Sequence, residues 1–285
     1  LVCGNMDKEV RLAGMAARLI GVPLVRRRGS DMPFPNKMRF RLVDRHLVQR
    51  IIVNSRATRE TLLRGNPWLR PEKLHLIYNG IAPPAVDQPG ERERIIGELF
   101  LEDASPVLAV VGLLKERKGH EVLFRALLRV IREFPRARLL VVGEGERRTH
   151  LEALAQQLDI AGSILFLGFR DDIAALMRAA DAVILPSANE GFGYVLAEAM
   201  SVGRAVVSTR VSSIPEVIQE GETGLLVPPG DAEALGEAIL DLARHPEKAG
   251  RMGSAGRQRV QELFSLERMI DEVEAFFKEI VGEVG

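Results

Sequence analysis

The chain has 285 residues, 46% hydrophobic and 27% charged, with a formal net charge of zero. A neutral bulk charge gives no reason to expect nucleic acid as a partner. The one cysteine, Cys3, excludes an intrachain disulfide and fits a reducing, cytoplasmic compartment, and no apolar run reaches the ~18 residues of a membrane span.

The length favours two domains over one, and the periodicities divide accordingly. Val10 to Ile20 has helical spacing, Pro23-Leu24-Val25 and Ile51-Ile52-Val53 read as short strands, and Ser55 is placed to cap a helix through Leu63. Leu74 to Tyr78 reads as a third strand, ended by the turn chemistry of Asn79-Gly80. Pro83-Pro84 to Pro89-Gly90 has linker composition, with a short charged helix after it.

A regular series follows. Strands are expected at Val107–Val111, Leu139–Val142, Ile164–Leu167, Ala182–Leu185, Ala205–Ser208 and Leu225–Val227. Amphipathic helices alternate with them: Val122–Ile131, Leu151–Leu158, a helix through Met177 capped by Asp171 or Asp172, Val195–Met200, and one begun by Asp231. Strands alternating with helices mean right-handed crossovers, a parallel sheet covered on both faces, and a ligand site outside the carboxyl ends of the strands. Ser265 to Val281 reads as a separate helix that stays on the second domain or reaches back to the first.

Local charge is less even than the total. Arg26-Arg27-Arg28, Lys37, Arg39, Arg41, Arg45 and Arg50 make the first fifth basic. The bland reading is a solvated face; the sharper one is a patch meeting an anionic acceptor or lipid head groups, hence peripheral contact at the inner face of a membrane.

The informative stretch is Pro186 to Met200, which follows a buried strand and opens a helix. Gly191 and Gly193 let the backbone approach a ligand closely. The helix start beyond them, at Tyr194 and Val195, presents N–H groups and a positive dipole end suited to phosphate. Glu190 and Glu198 flank this turn, able to accept hydrogen bonds from sugar hydroxyls; taken singly, each reads equally as a capping or salt-bridging Glu. No His, Cys or Asp cluster has metal-ligand spacing.

Together Glu190, Gly191-Phe192-Gly193, Glu198 and Ala199-Met200 resemble the signature of glycosyltransferase family 4, retaining group 1 enzymes of the GT-B fold. Ordered matches extend from about residue 77 to residue 228: Ile77 to Ile81, Lys118-Gly119, Val142-Gly143-Glu144-Gly145, Leu167-Gly168-Phe169, Pro215-Glu216 and Gly221 to Val227. The resemblance implies an α/β protein with two Rossmann-like doubly wound domains facing a cleft. A partial acceptor-side domain is expected over 1–83, a linker over 84–103, a nucleotide-sugar domain over 104–262, and a C-terminal helix over 263–285.

It also implies roles. Glu190 contacts the donor sugar, Glu198 holds the ribose hydroxyls, and Lys118 neutralises the leaving diphosphate. Gly112, Gly143, Gly145, Leu167 and Phe169 line the donor with Gly191 to Val195. The substrates implied are a UDP- or GDP-type nucleotide sugar and a saccharide or lipid-linked acceptor of cell-surface polysaccharide or lipopolysaccharide synthesis, with no metal and no cofactor.

Four departures stand against the pattern. Leu113 occupies the place of an Arg that clamps phosphate with the Lys, and Ser212-Ser213 replaces a Gly-Gly. Gly29 stands where many members carry a His. About 80 residues precede the linker, fewer than a full first domain, so its sheet is expected to lack strands and to leave an open edge. A non-catalytic nucleotide-sugar-binding module and a GT-B epimerase are the alternatives. A dinucleotide oxidoreductase is disfavoured because Gly112 to Gly119 lacks the Gly-x-Gly-x-x-Gly spacing.

Overall fold

The computed structural model describes residues 1–84 and 89–282; four residues of the expected linker, 85–88, lie outside the described residues. The elements in chain order begin with β1 (Val2–Gly4), α1 (Asp7–Leu19), β2 (Leu24–Arg28), α2 (Met38–His46), β3 (Arg50–Val53), α3 (Arg56–Gly65) and β4 (Leu74–Leu76). Then come α4 (Glu91–Glu98), β5 (Val107–Val111), α5 (His120–Glu133), β6 (Arg138–Val142), α6 (Arg148–Gln157), β7 (Ile164–Gly168), α7 (Ile173–Ala179), β8 (Ala182–Leu185) and α8 (Tyr194–Ser201). The chain closes with β9 (Ala205–Thr209), α9 (Ile214–Val217), β10 (Leu225–Val227), α10 (Ala232–Arg244), α11 (Pro246–Leu263) and α12 (Leu266–Gly282). Each expected strand forms, and β1, α2, α9 and α11 are additions.

Two compact units result. The first comprises Leu1–Gly80, Glu190–Phe192 and the chain from Leu263 on; the second comprises Ile81–Asn189 and Gly193–Glu262. The first unit's sheet runs β1-β2-β3-β4, all parallel. Side chains alternate across it, as a strand's period of two requires. Leu24, Ile51 and Val53 join Val10, Ala17 and Leu62 on one face, while Val25 and Ile52 pack with Phe276 and Ile280 of α12 on the other. Both faces of this sheet are therefore covered by helices, which accounts for near-continuous apolar strands.

Arg26 breaks that apolar run and corrects the reading of Arg26-Arg27-Arg28 as a solvated face. Arg26 is 1% exposed. Its guanidinium donates to both carboxylate oxygens of buried Asp44, at 2.8 and 3.0 Å, and to Asp7, and lies 3.9 Å over the Phe34 ring. Arg27 donates to Asn79 Oδ1 and Arg28 to the Met32 carbonyl.

The second unit is a six-stranded parallel sheet of order β10-β9-β8-β5-β6-β7. The chain proceeds outward from β5 to β7, then returns to β5's other side at β8. The β5/β8 boundary is thus the topological switch point, where a doubly wound sheet opens its ligand crevice. The ladder there pairs only Leu108 with Ala182 and Ala109 with Val183, although β5 continues to Val111 and β8 to Leu185. The two strands part before their carboxyl ends.

Two of the expected caps can be compared. Asp231 caps α10, its Oδ1 accepting from the Ala234 amide. Asp172 sits at the start of α7 without capping it; its carboxylate instead takes a bidentate pair of bonds from Arg170, at 2.8 and 2.7 Å. A planar guanidinium two residues away outcompetes the backbone amides for those oxygens.

Candidate nucleotide-sugar site

Three loops of the second unit converge at the carboxyl ends of β5, β6 and β7. The Gly112 amide donates to the Val142 carbonyl, the Gly143 amide to the Gly168 carbonyl at 2.7 Å, and the Leu114 amide to the Glu144 carbonyl. Only glycine fits at 143: its φ is +130°, and a Cβ would stand 2.1 Å from the Gly112 carbonyl oxygen. The stacked loops put Gly112, Gly143, Gly145 and Leu167 on one end of the sheet. Phe169, just beyond β7, is 81% exposed there.

Lys118 arises from a single 3-10 turn, Glu116–Lys118, that joins β5 to α5. Its side chain lies over Gly112, its Cε 3.9 Å from where a Cβ would be. The loop is tied to the end of β8 by the Ala188 amide, which donates to the Arg117 carbonyl. Lys118 therefore stands at the switch point.

His120 follows, 3% exposed, with its Nδ1 lacking a partner among the described residues. Burial, aided by the Lys118 charge, pushes its pKa down to about 4, so the imidazole is neutral at physiological pH. The sequence reading passed it over; its position directly after Lys118-Gly119 was the available signal.

α8 begins at Tyr194 behind Gly193, whose φ is +86°. That left-handed residue lets the chain reverse into the helix, and a Cβ there would meet Ile214 Cδ1 at 2.6 Å. Tyr194 is 45% exposed, so the helix start faces outward. The Leu196 and Ala197 amides turn back to the Gly193 carbonyl, and the Val195 amide ahead of them finds no partner among the described residues.

One turn on, Glu198 is half-buried; burial raises its pKa, and its carboxylate takes no hydrogen bond among the described residues. A partly desolvated carboxylate gains from a hydrogen-bond donor brought to it.

At the Ser212-Ser213 departure Ser212 holds φ +47°, in the left-handed region glycine favours, and its hydroxyl accepts from Asn189 Nδ2. Leu113, in the place of the expected Arg, is 52% exposed.

Glu190, Gly191 and Phe192 cluster with the first unit. Glu190 is 7% exposed, and Phe192 packs edge-on against Phe264, which does the same against Tyr78. Asn54, at the end of β3, donates to both the Gly29 and Gly191 carbonyls at 3.3 Å. Gly29 and Gly191 therefore touch, and a Cβ on Gly191 would stand 2.4 Å from the Gly29 carbonyl oxygen. The approach requires glycine at 191 and not at 29, where a Cβ would meet only Asn54 Nδ2, at 3.5 Å. Asn54 was not anticipated; its place between a strand end and a capping Ser55 was the clue.

Among the described residues no three His, Cys, Asp or Glu side chains group to hold a metal, and no helix is long and apolar enough to cross a membrane.

Residues 91–259, more than half of the chain, match the family described as glycosyl transferases group 1. The chain belongs to this family. It is 29% identical over 256 residues to the N-acetyl-alpha-D-glucosaminyl L-malate synthase of Bacillus anthracis, covering 90% of this chain and 65% of that protein. To the alpha-maltose-1-phosphate synthase of Mycolicibacterium smegmatis it is 32% identical over 249 residues, covering 81% and 63%. It thus spans less than two thirds of either relative.

Among solved structures, Anabaena HepE in complex with UDP-glucose superposes with a TM-score of 0.85 at 23% identity, over 97% of this chain and 78% of that one. The sucrose-phosphate synthase of Thermosynechococcus elongatus gives 0.82 at 25% identity, over 99% and 73%. These likenesses establish the α/β GT-B fold.

Proposed function

We propose that this group 1 glycosyltransferase moves a sugar from a nucleoside diphosphate sugar to a saccharide or lipid-linked acceptor, with retention at the anomeric carbon and without a metal. The observation that carries this reading is the presence, in the second unit, of a lysine over Gly112 and of the half-buried Glu198, whose carboxylate has no hydrogen-bond partner among the described residues. Lys118 and the α8 start meet the diphosphate; Glu198 accepts from the ribose hydroxyls. As the glycosidic bond to the diphosphate breaks, negative charge grows on the leaving oxygen, where Lys118 stabilises it. The leaving phosphate takes the acceptor's proton, so no separate base is required, in keeping with Gly29 in the place of a His.

Glycan synthesis at the cell surface, from the cytoplasmic side, is the process this chemistry suits. The relatives named above are by name synthases of a glucosaminyl malate and a maltose phosphate, so the acceptor is decided by experiment. A panel of nucleotide sugars, followed by product analysis by NMR, tests the reading. Transfer with the donor's anomeric configuration kept supports it; binding without transfer favours a non-catalytic module. The exposed Leu113 in place of an Arg is the observation behind that second reading.

Glu198→Gln is expected to weaken free nucleoside diphosphate binding about tenfold, since hydrogen bonds to a charged acceptor are the stronger kind. Because burial raises the Glu198 pKa, the wild-type affinity falls on acidification sooner than an exposed glutamate would dictate. The amide variant loses that dependence, as calorimetry at several pH values will report. Glu190→Ala, in contrast, is expected to keep nucleotide affinity and lower turnover; equal loss of affinity rejects the assignment.

A further inference from the structure

The first unit carries a second concave feature that the proposed activity does not use. It is a cavity of about 510 Å³ formed by the end of α2 and the turn that leads into β4. Both border the amino ends of β3 and β4, whereas the Asn54–Gly29–Gly191 cluster lies at the carboxyl ends. Its wall holds Arg41, Arg45, His46, Arg70 and Lys73.

The single acid in the lining, Asp44, is fully buried and already engaged by Arg26, so it offers the cavity little negative charge. Lys73 is held in the wall by the Asp44, Arg45 and Val48 carbonyls, at 2.7, 3.4 and 2.6 Å. Burial is the main cause that lowers its pKa; Arg70 and Arg50 add to it against the pull of Asp44. Arg45 and Arg70 are exposed and form no ion pair among the described residues. The lining includes Trp68, whose indole Nε1 is buried and has no hydrogen-bond partner among the described residues.

Like charges gathered around a concave wall repel one another unless an anion joins them. We propose that this cavity is an anion-binding site for a phosphate-bearing ligand, taken up by Arg45 and Arg70 beside the Trp68 ring. Arginine forks favour the planar edges of phosphate groups, and the cavity's size admits a diphosphate or a phosphorylated small molecule. The phosphate can belong to a free metabolite or to a lipid head group; the chemistry at the protein is the same.

Trp68 is the sole tryptophan of the chain, so its fluorescence reports this cavity alone. Inorganic pyrophosphate added to the full chain is expected to give a saturable change in Trp68 emission at millimolar concentration or below. The exposed pair Arg45→Ser/Arg70→Ser should weaken that response by about tenfold or more without altering the thermal transition. Lys118→Ala should leave it unchanged. Co-sedimentation with phosphatidylglycerol against phosphatidylcholine vesicles then separates the sources. Binding to the anionic vesicles that needs Arg45 and Arg70 assigns a lipid head group, and pyrophosphate binding without it assigns a free phosphate compound. No saturable emission change, an unchanged response in the Arg45/Arg70 variant, or its loss in Lys118→Ala overturns the proposal.

Discussion

Lys118→Ala is expected to lower kcat by about 100- to 1000-fold, the range seen when one preorganised group is removed from the place where transition-state charge develops. The reason is local. The lysine lies over Gly112 at the switch point, where β5 and β8 separate, and the expected arginine is replaced by Leu113. With Leu113 in place of a clamping arginine, more of the work falls on Lys118. KM for the donor should rise less than kcat falls, because the lysine's contribution grows as the leaving group ionises. Lys118→Arg should recover part of the rate. His120 does not confuse the result: burial is the larger cause of its low pKa, so it stays neutral without the lysine. Steady-state kinetics with the donor identified by the panel will decide. Equal rises in KM with unchanged kcat place the lysine in ground-state binding instead.

Asp44→Ala is expected to destabilise the first unit by about 3–5 kcal/mol, since breaking a buried pair leaves an uncompensated charge. The partner left behind is Arg26, 1% exposed inside an otherwise apolar strand. Asp7 alone cannot replace the two bonds to Asp44, being itself over a third exposed. The Asp44 pKa is raised, burial being the largest cause, although Arg26 lowers it, so pairing does not fully offset the desolvation of this carboxylate. It follows that removing both charges, as Arg26→Met/Asp44→Leu, should cost less than removing one. Chemical denaturation of the two variants distinguishes this from a simple loss of packing, in which the double change would be the worse.

Much of the second unit could be read from the chain because its strands carry unbroken apolar runs. Val107–Val111 and Ala182–Leu185 are buried on both faces, and the observed bounds agree with the runs. The glycine turn before Glu198 was legible for the same reason: backbone conformation leaves a residue-type trace. Elements held by means other than apolar pattern were not seen. β1 is three residues long, too short for alternation. α11 carries Gly250, Gly253 and Gly256, which read as breakers. In the structure a Cβ on Gly253 would stand 2.0 Å from the Gly203 carbonyl, so close backbone contact, not a stripe of large side chains, seats that helix. Long-range pairing hid Arg26 in the same way: nothing near it in sequence reveals Asp44, eighteen residues on.

The first unit takes its core from both ends of the polypeptide. Val25, Ile52 and Ile77 are closed by Phe276 and Ile280, and the His75 ring stacks on Phe276 at 4.4 Å. During synthesis those early strands emerge long before the helix that covers them. The six-stranded sheet, complete by Val227, has its own interior ready first. Strands left bare for that interval are aggregation-prone, which makes the arrival of α12 the step that commits β2 and β3 to their native state.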